Sequence, residues 1–287
     1  DLAIKSLKFD FIPEKFFNVE NEEILETTFL KRKINNPIGL AAGFDKSAEV
    51  YKQLSKLGFG LIEVGTVTPE KQFGNPKPRI FRLEEDEALI NRLGFNNDGL
   101  ETIVDRLDRR IDTSVALGVN IGPNYDSSSY EYDFLKCFYN IMKYALADYV
   151  TINISSPNTE NLRDYQEESK LESLIKEINK LKKTPISFSD MSISLKKAIG
   201  LPGKEIIDIP VFLKLSPDIK DSSVEKISEI VINQKISGVI LTNTSNINRS
   251  SLKSSNKNQV GGLSGKPIRE LSTELIKKFY KKLKGKA

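Results

Sequence analysis

Histidine and tryptophan are absent from this 287-residue chain, and cysteine occurs once. The absence of histidine excludes Ser–His and Cys–His nucleophile pairs, HExxH metalloproteases and haem held by a proximal histidine. A single cysteine excludes an intrachain disulfide framework and any four-cysteine zinc or iron–sulfur site. Acid–base chemistry therefore falls to Ser, Tyr, Lys, Asp or Glu, or to a cofactor, and we expect no metal site.

A strong charge imbalance and a long apolar run are also missing. The 43 basic and 39 acidic side chains leave a net charge of +4, which does not favour a nucleic-acid partner. No uncharged apolar run reaches the ~18 residues that a membrane-spanning helix needs. The composition, 39% apolar and 29% charged, is typical of a globular chain. Because the first residue is Asp rather than Met, we expect a processed or trimmed N-terminus.

Short apolar runs alternate along the chain with longer amphipathic runs. The apolar runs, rich in Val, Ile and Leu as buried parallel strands are, cover residues 38–43, 60–68, 116–122, 149–155, 211–216 and 238–244. The helical patterns cover residues 48–56, 99–110, 131–147, 168–182, 222–233 and 268–283. This alternation predicts an α/β fold with six βα units and a parallel sheet.

Three segments interrupt this alternation. Residues 69–97 form a connection with several Pro and Gly residues, and a connection this long is usually functional. Residues 184–208 are interpreted as a surface insertion with a short helix, although an irregular structural loop fits them equally well. Residues 246–260 form a polar loop rich in Ser and Asn.

Polar side chains close several of the predicted strands. Asn153 shares a face with Thr151 and Ser155. Lys214 lies inside an apolar run, and Asn120 ends another. Since parallel strands of a barrel end at the same rim, these side chains are expected to line one site for a polar ring, such as a pyrimidine or a flavin, with negative charge near the lysine. The alternative is that they only satisfy the backbones of nearby loops.

Eight segments resemble the dihydroorotate dehydrogenase family. They include GFDK at residues 43–46, EVGTVTP at 63–69 and INISSPNT at 152–159. The full set is residues 36–46, 62–69, 74–82, 90–97, 152–159, 214–218, 242–244 and 261–267. So many motifs in one order do not arise by chance.

The resemblance implies a flavin-dependent (β/α)8 TIM barrel that oxidises dihydroorotate to orotate in pyrimidine biosynthesis, with FMN as cofactor. Soluble members of the family use Cys as the catalytic base, whereas membrane-associated members that reduce quinone use Ser. The matching position is Ser156, which implies the quinone-using class. Without the motif, Ser156 would be interpreted as a turn serine. Cys137 lies on the apolar face of a predicted helix and is expected to be a core residue.

The resemblance also implies roles for individual residues. The flavin would contact Ala42, Gly43, Phe44, Asp45, Lys46, Thr66, Asn120, Asn153, Lys214, Thr242 and Gly265. The substrate, dihydroorotate, would contact Lys46, Asn91, Arg92, Leu93, Gly94, Phe95, Asn153, Asn158, Asn243 and Thr244. Ser156 would take the proton from C5 of the substrate, and Lys214 would stabilise charge on the reduced flavin. The glycines would admit the ring or phosphate closely, although each could serve only a turn.

The sequence departs from the family at both ends. Residues 1–36 are interpreted as a short helical stub of the extension through which such enzymes touch the membrane and admit quinone. Residues 37–287 are interpreted as the flavin-binding barrel, truncated after about six βα units, so the chain alone is expected to fold poorly and to hold flavin weakly. The expected location is peripheral, on the cytoplasmic face of a bacterial inner membrane or on a mitochondrial inner membrane.

Two other functions stay open. The chain could be an inactive or split remnant of this enzyme, in which case the purified protein would be colourless. It could also be similar to the tRNA-dihydrouridine synthases, which are related flavin barrels. Those enzymes need a Cys acid and a basic RNA surface, whereas residue 156 is Ser and the charge is near balance. The basic residues 277–286 are interpreted as the solvated face of the last helix.

Overall fold

Short strands and longer helices alternate along the chain. A computed structural model describes residues 2–8, 23–108, 115–187, 204–205, 208–246 and 249–287. The strands are β1 (Thr27–Phe29), β2 (Arg32–Ile34), β3 (Gly39–Leu40), β4 (Leu61–Val67), β5 (Ile80–Leu83), β6 (Ala88–Asn91), β7 (Ala116–Ile121), β8 (Tyr149–Asn153), β9 (Ile186–Ser187), β10 (Lys204–Glu205), β11 (Val211–Leu215), β12 (Gly238–Leu241) and β13 (Gly262–Gly265). The α-helices are α1 (Leu2–Lys8), α2 (Tyr51–Leu54), α3 (Leu100–Asp108), α4 (Tyr130–Lys143), α5 (Glu168–Lys182), α6 (Asp221–Asn233) and α7 (Arg269–Leu283).

Six of these strands form one parallel sheet in the order β12–β11–β8–β7–β4–β3. Neighbours in the sheet follow one another along the chain, and an α-helix connects each strand to the next. The sheet is therefore built from repeated βα units. This arrangement confirms the predicted fold class, a (β/α) barrel architecture represented by an open sheet of six strands.

The helices bury apolar residues that recur every three or four positions. In α5 the buried residues are Leu171, Leu174, Ile175 and Ile178. This spacing places them on one face of the helix, which packs against the core. Cys137 is fully buried on the same kind of face in α4, and burial raises the pKa of its thiol. The prediction that Cys137 is a core residue is confirmed.

Three aromatic rings fill the end of the sheet where the strands begin. Phe29 of the β1–β2 hairpin lies with its ring centroid 5.5 Å from Tyr149 and 5.8 Å from Phe212. Tyr149 and Phe212 meet edge to face at 5.2 Å. Gly118 leaves room for this cluster, because a Cβ there would lie 2.1 Å from Tyr149 Cζ. The site must therefore lie at the opposite end of the strands.

Residues 69–97 contain a β-hairpin, although the sequence predicts only a long connection for them. Strands β5 and β6 pair antiparallel, and β13 joins them as a third strand. Leu83, Ile90, Leu252 and Leu263 form a small apolar cluster under this sheet. The hairpin therefore has a core of its own and covers part of the region beyond the central strands.

The insertion at residues 184–208 is described only at its two ends, where β9 pairs antiparallel with β10. The short helix predicted there lies outside the described residues. Of the predicted stub at residues 1–36, the structure describes α1 and residues 23–36, which include the β1–β2 hairpin. In the described part of the chain, no helix combines the length and the apolar character needed to cross a membrane.

Candidate active site

Asparagine and lysine side chains lie together at the carboxyl ends of the central strands. Lys214 of β11 is in register with Asn153 of β8, and Asn120 of β7 is in register with Thr151 of β8. In-register side chains of neighbouring parallel strands project to the same face, and Thr151 and Asn153 share that face. Asn120 and Asn153 are buried, with exposed fractions of 0% and 3%. The structure therefore brings these three predicted site residues together.

Hydrogen bonds join the polar side chains of four strand ends into one network. The Thr66 hydroxyl donates to Asn120 Oδ1 at 2.6 Å. Asn153 Nδ2 donates to Thr66 Oγ1 at 3.0 Å and to Asn120 Oδ1 at 3.1 Å. The Ser155 hydroxyl donates to Asn153 Oδ1 at 2.7 Å, and Asn243 Nδ2 donates to Ser155 Oγ at 2.8 Å. The network leaves few free rotamers, so the amide groups are held in place before any ligand binds.

The loop that follows β3 is fixed by its own backbone and by Asp45. Gly43 N–H donates to Gly65 O at 2.9 Å, and Gly65 N–H donates to Asp45 O at 3.0 Å. The Asp45 carboxylate accepts from the N–H groups of Glu49 and Val50, each at 2.8 Å. Burial raises the pKa of Asp45, although these backbone donors oppose the effect. The carboxylate therefore holds the loop, and its backbone atoms remain available to a ligand.

Three cationic side chains gather beside this loop. Lys46 Nζ donates to Gly43 O. Burial, followed by the positive charges of Arg79 and Lys214, lowers the pKa of Lys46 from 10.5 to about 8. Arg79 is held by its own donation to Phe73 O at 2.8 Å. Like charges brought this close favour a site that receives an anionic ligand.

Ser156 lies directly after β8 and is only 4% exposed. Its Oγ accepts from Asn158 N–H at 3.2 Å, as in the turn that serine commonly forms. Asn158 Nδ2 donates to Asn91 O at 3.3 Å, and a Cβ at Gly262 would lie 2.9 Å from Pro157 Cγ. The Ser156 turn is therefore packed against β6 and β13, the hairpin sheet that covers this end of the central strands.

Arg163 ties together the segments that follow three of the central strands. Its Nε donates to Ser155 O at 3.1 Å, and an Nη donates to Thr244 O at 2.8 Å. The other Nη forms an ion pair with Asp218 Oδ2 at 2.6 Å. Asp218 Oδ1 accepts from the Ser245 hydroxyl at 2.6 Å. These bonds fix the position of the backbone immediately before Ser156.

The predicted substrate run at residues 91–95 begins at the end of β6. The Arg92 guanidinium donates to Pro78 O at 3.0 Å and to Val260 O at 3.1 Å. Gly94 O accepts from Gln72 Nε2 at 2.8 Å. The charged group of Arg92 also donates to Gln259 Oε1 at 3.1 Å, and it therefore joins the hairpin to the segment before β13.

Two further residues of this run take different positions. Leu93 O accepts from Asn75 N–H at 3.2 Å, which closes the loop before β5. The Phe95 ring approaches Gly122, where a Cβ would lie 3.1 Å from it and 2.7 Å from Thr66 Cγ2. Phe95 is thus the member of the run that reaches the neighbourhood of the amide network.

The remaining predicted residues lie after β3, after β12 and at the end of β13. The Thr242 hydroxyl shares a hydrogen bond of 2.7 Å with Ser272 of α7. Gly265 ends β13 with a φ of +101°, a conformation that favours glycine. Phe44 is 43% exposed, and Ala42 is half-buried. Ala42, Phe44 and Thr242 follow β3 or β12, whereas Gly265 lies in the hairpin sheet opposite Ala88, and the ligand contacts of all four stay predictions.

Sequence reasoning assigned no role to three charged residues that the structure places at the site. Glu63 is buried under the amide network, Arg79 faces Lys46, and Asp218 pairs with Arg163. Glu63, Arg79 and Asp218 fall inside the segments that resemble the family, whereas Arg163 lies outside them. A charged residue in an apolar strand, the signal that identified Lys214, also marks Glu63.

Two curated proteins that are similar to this chain carry the same name. A protein from Christiangramia forsetii named dihydroorotate dehydrogenase (quinone) is 44% identical over 262 residues, which cover 88% of this chain and 68% of that protein. A protein of the same name from Agrobacterium fabrum is 40% identical over 283 residues, which cover 98% of this chain and 72% of that protein.

Solved structures agree with these relatives. The ligand-free DHODH from Eimeria tenella superposes with a TM-score of 0.87 at 35% identity, covering 100% of this chain and 80% of that chain. The same enzyme in complex with ferulenol gives a TM-score of 0.86 at 34% identity, covering 100% and 77%. The family model described as dihydroorotate dehydrogenase matches residues 24–287. On the strength of this match and of its relatives, the chain belongs to the dihydroorotate dehydrogenase family.

Proposed function

We propose that this chain oxidises (S)-dihydroorotate to orotate with FMN as cofactor and a membrane quinone as electron acceptor. The observation that carries the proposal is the meeting of a buried amide network with the cations Lys46, Arg79 and Lys214 at the strand ends. Amides match the edges of a pyrimidine, and the cations match its carboxylate. The relatives named dihydroorotate dehydrogenase (quinone) support the same chemistry.

The residues present fit a flavin. A Cβ at Gly43 would meet only Lys46 Nζ, at 3.7 Å, so a ligand can approach the loop backbone. Asn120, Asn153 and Thr66 offer donors and acceptors on one face, and Lys214 adds a positive charge in register with Asn153. In this proposal Ala42, Phe44, Asp45, Thr242 and Gly265 complete the flavin contacts. A bound FMN would supply the acceptor for the hydride that leaves C6 of the substrate.

The substrate would lie between the flavin contacts and the hairpin cover. Lys46 binds the carboxylate, and the amides of Asn91, Asn153, Asn158 and Asn243 orient the pyrimidine edges. The backbone of residues 92–95 and Thr244 borders the same space. Orientation matters most here, because the C5 proton must face the base while C6 faces the hydride acceptor.

Ser156 is the proposed base that removes the C5 proton. One lone pair of its Oγ accepts from Asn158 N–H, which leaves a second lone pair for the substrate proton. A serine hydroxyl is a weak base in water, so it needs the enclosure that its 4% exposure indicates. As Oγ accepts the C5 proton, the original hydroxyl proton is released to solvent water, so the serine stays neutral.

The variant Ser156→Ala tests this assignment. We expect it to bind FMN and orotate with near-unchanged dissociation constants and to lose turnover by about two to four orders of magnitude at neutral pH. Ser156→Cys is the matched control, since a thiol is the base in the soluble members that the family resemblance describes. Its turnover should exceed that of the alanine variant and rise with pH. Near-normal turnover by Ser156→Ala would falsify the assignment.

The N-terminal segment is the proposed route for quinone and the membrane contact. Leu2 of α1 is 81% exposed, and Ile24 is 87% exposed. Apolar side chains left this open suit a membrane surface. The proposed location is peripheral, at the cytoplasmic face of a bacterial inner membrane or at a mitochondrial inner membrane. Vesicle sedimentation of the purified chain tests the contact, and residues 1–36 should be required for it.

A further inference from the structure

A carboxylate lies buried beneath the amide network, where a charge is costly unless donors surround it. Glu63 of β4 is 6% exposed. Its Oε1 accepts from Asn120 Nδ2 at 2.9 Å, and its Oε2 accepts from the Thr151 hydroxyl at 2.7 Å. The Tyr149 hydroxyl also hydrogen-bonds to it. Three partners satisfy the charge, yet only Asn120 also belongs to the proposed flavin site.

An ionised carboxylate can only accept hydrogen bonds. Glu63 therefore requires Asn120 to direct its NH2 group toward the carboxylate, and Asn120 Oδ1 then faces away from the carboxylate. That oxygen receives the Thr66 hydroxyl at 2.6 Å and Asn153 Nδ2 at 3.1 Å. With its proton committed, Thr66 Oγ1 can accept from Asn153 Nδ2 at 3.0 Å. One charge thus decides the direction of every bond in this group.

We propose that Glu63 is a positioning residue that fixes Asn120 and, through it, the Thr66 hydroxyl and the Asn153 carboxamide. The inference concerns how the site is ordered, and its value for catalysis rests on the proposed function. Hydrogen bonds to a charged group are stronger than those between neutral groups. A charged Glu63 therefore disfavours the flipped orientation of Asn120, with Oδ1 toward the carboxylate, more strongly than a neutral side chain would.

The chain itself supplies two controls. Thr151 bonds the same carboxylate but lies off the path to the site, so Thr151→Val removes a hydroxyl at the same depth without interrupting that path. Asn243 belongs to the network, but its Oδ1 is fixed from the other end by Thr244 N–H at 2.7 Å. Its orientation should not depend on Glu63.

The test is an NMR spectrum of the side-chain amide groups, recorded on ligand-free protein whose asparagine residues carry nitrogen-15. Glu63→Leu and Glu63→Gln are compared with Thr151→Val and the parent chain. We expect both Glu63 variants to shift the signals of Asn120 and Asn153, with the smaller shift for Gln, which keeps one acceptor oxygen. Asn243, and Asn179 on the distant helix α5, should stay in place.

Two outcomes in a folded variant would overturn the proposal. The first is a shift confined to Asn120, which means that its orientation is not passed on. The second is an equal shift in Thr151→Val. If the signals of all asparagines, including Asn179, shift in Glu63→Leu, that variant has lost its structure, and Glu63→Gln decides by the same criteria.

FMN affinity provides a second reading. We expect the dissociation constant to rise by about tenfold or more in Glu63→Leu, because losing one charge-assisted hydrogen bond changes an equilibrium constant by about that factor. In Thr151→Val it should change by less than about twofold, since this variant keeps the bond between Glu63 and Asn120. A parent chain that binds no FMN refutes the proposed function but leaves the spectrum to decide the role of Glu63. Unchanged FMN affinity in a folded Glu63→Leu would contradict the positioning role.

Discussion

Lys46 is a site residue whose charge depends strongly on its surroundings. Burial and the neighbouring charges of Arg79 and Lys214 lower its pKa to about 8. The ammonium is therefore charged at neutral pH but near the point of losing its proton. Because an unliganded site stores this repulsion, an arriving anion relieves it and restores the usual preference of lysine for its charged form.

We predict that orotate affinity falls as the pH rises through about 8, the range in which free Lys46 loses its proton. The measurement is the orotate dissociation constant from pH 6.5 to 9.5. Lys46→Arg is the control, since guanidinium keeps its charge throughout this range and its affinity curve should be flatter. A parent curve that is flat across the whole range would show that Lys46 does not meet the anion.

The same residue affects stability with the opposite sign. The folded pKa lies below the unfolded value of 10.5, so the unfolded chain binds more protons between pH 8 and 10.5. The free energy of unfolding therefore gains from Lys46 as the pH rises through that window. Loss of orotate binding at high pH thus cannot be explained by Lys46 destabilising the fold.

Residue types alone predicted part of this site, and the part they did not predict depends on the conformation of loops. Lys214 was predicted because a lysine inside an apolar strand needs an anion, and the structure places it beside Asn153. Asp45 was predicted from its motif, but its carboxylate serves the backbone of Glu49 and Val50. That use depends on the path of an irregular loop, which residue types alone do not define.

At the scale of elements, Arg163 is the connection between three loops. It bonds Ser155 O and Thr244 O and pairs with Asp218, whose side chain is 12% exposed. Ser155 precedes the proposed base, so movement of its backbone moves Ser156 as well. The position of the base therefore depends on a salt bridge that lies outside the predicted site.

We predict that Arg163→Ala lowers the free energy of unfolding by about 3 kcal/mol, because it removes the ion-pair partner of the partly buried Asp218. Urea denaturation measures this change. Hydrogen exchange in residues 155–159 should increase in the same variant. Arg163→Lys is the control and should lose less stability, since it keeps the charge but not the three-way contact. Unchanged exchange in residues 155–159 would refute the connecting role.

The β5–β6 hairpin shows why one element was not predicted. The sequence indicated only a long connection at residues 69–97, because Pro and Gly are frequent there. Its third strand, β13, comes from near the other end of the chain. Pairing over such a distance is stabilised by tertiary contacts, here Leu83 and Ile90 against Leu263, and leaves a weak local signal.

The parallel strands and long helices were easier to predict. The segment predicted as a helix at residues 168–182 has the same bounds as α5, and the strand predicted to begin at residue 149 begins there as β8. Both carry strong periodicity and bury one face or both faces in the main core. Burial and periodicity agree in these elements, so local pattern alone was sufficient.

At the scale of the whole molecule, glycines decide how the rings pack at the start of the strands. A Cβ at Gly118 would lie 2.1 Å from Tyr149 Cζ, whereas one at Gly238 would lie 2.8 Å from Phe212 Cε1. Both distances require something to move, and the first requires more. The ring cluster and the β1–β2 hairpin above it share these contacts.

We predict that Gly118→Ala destabilises the chain by about 2–3 kcal/mol through overpacking, and that Gly238→Ala costs less. Each variant adds one methyl group next to one ring of the aromatic cluster, Gly118→Ala beside Tyr149 and Gly238→Ala beside Phe212, so each is the control of the other. Thermal unfolding followed by circular dichroism measures both. Equal stability of Gly118→Ala and the parent chain, or the reverse order, would contradict the packing described here.

The proposed function requires that the whole molecule bring flavin and substrate together at the strand ends. The most direct measurement is an anaerobic titration of the FMN-loaded chain with (S)-dihydroorotate, followed by the visible absorbance of oxidised flavin. We predict that the absorbance falls and that one orotate forms for each flavin reduced, without any added quinone. A chain that binds FMN and orotate but leaves the flavin oxidised, or one that binds neither, would contradict the account.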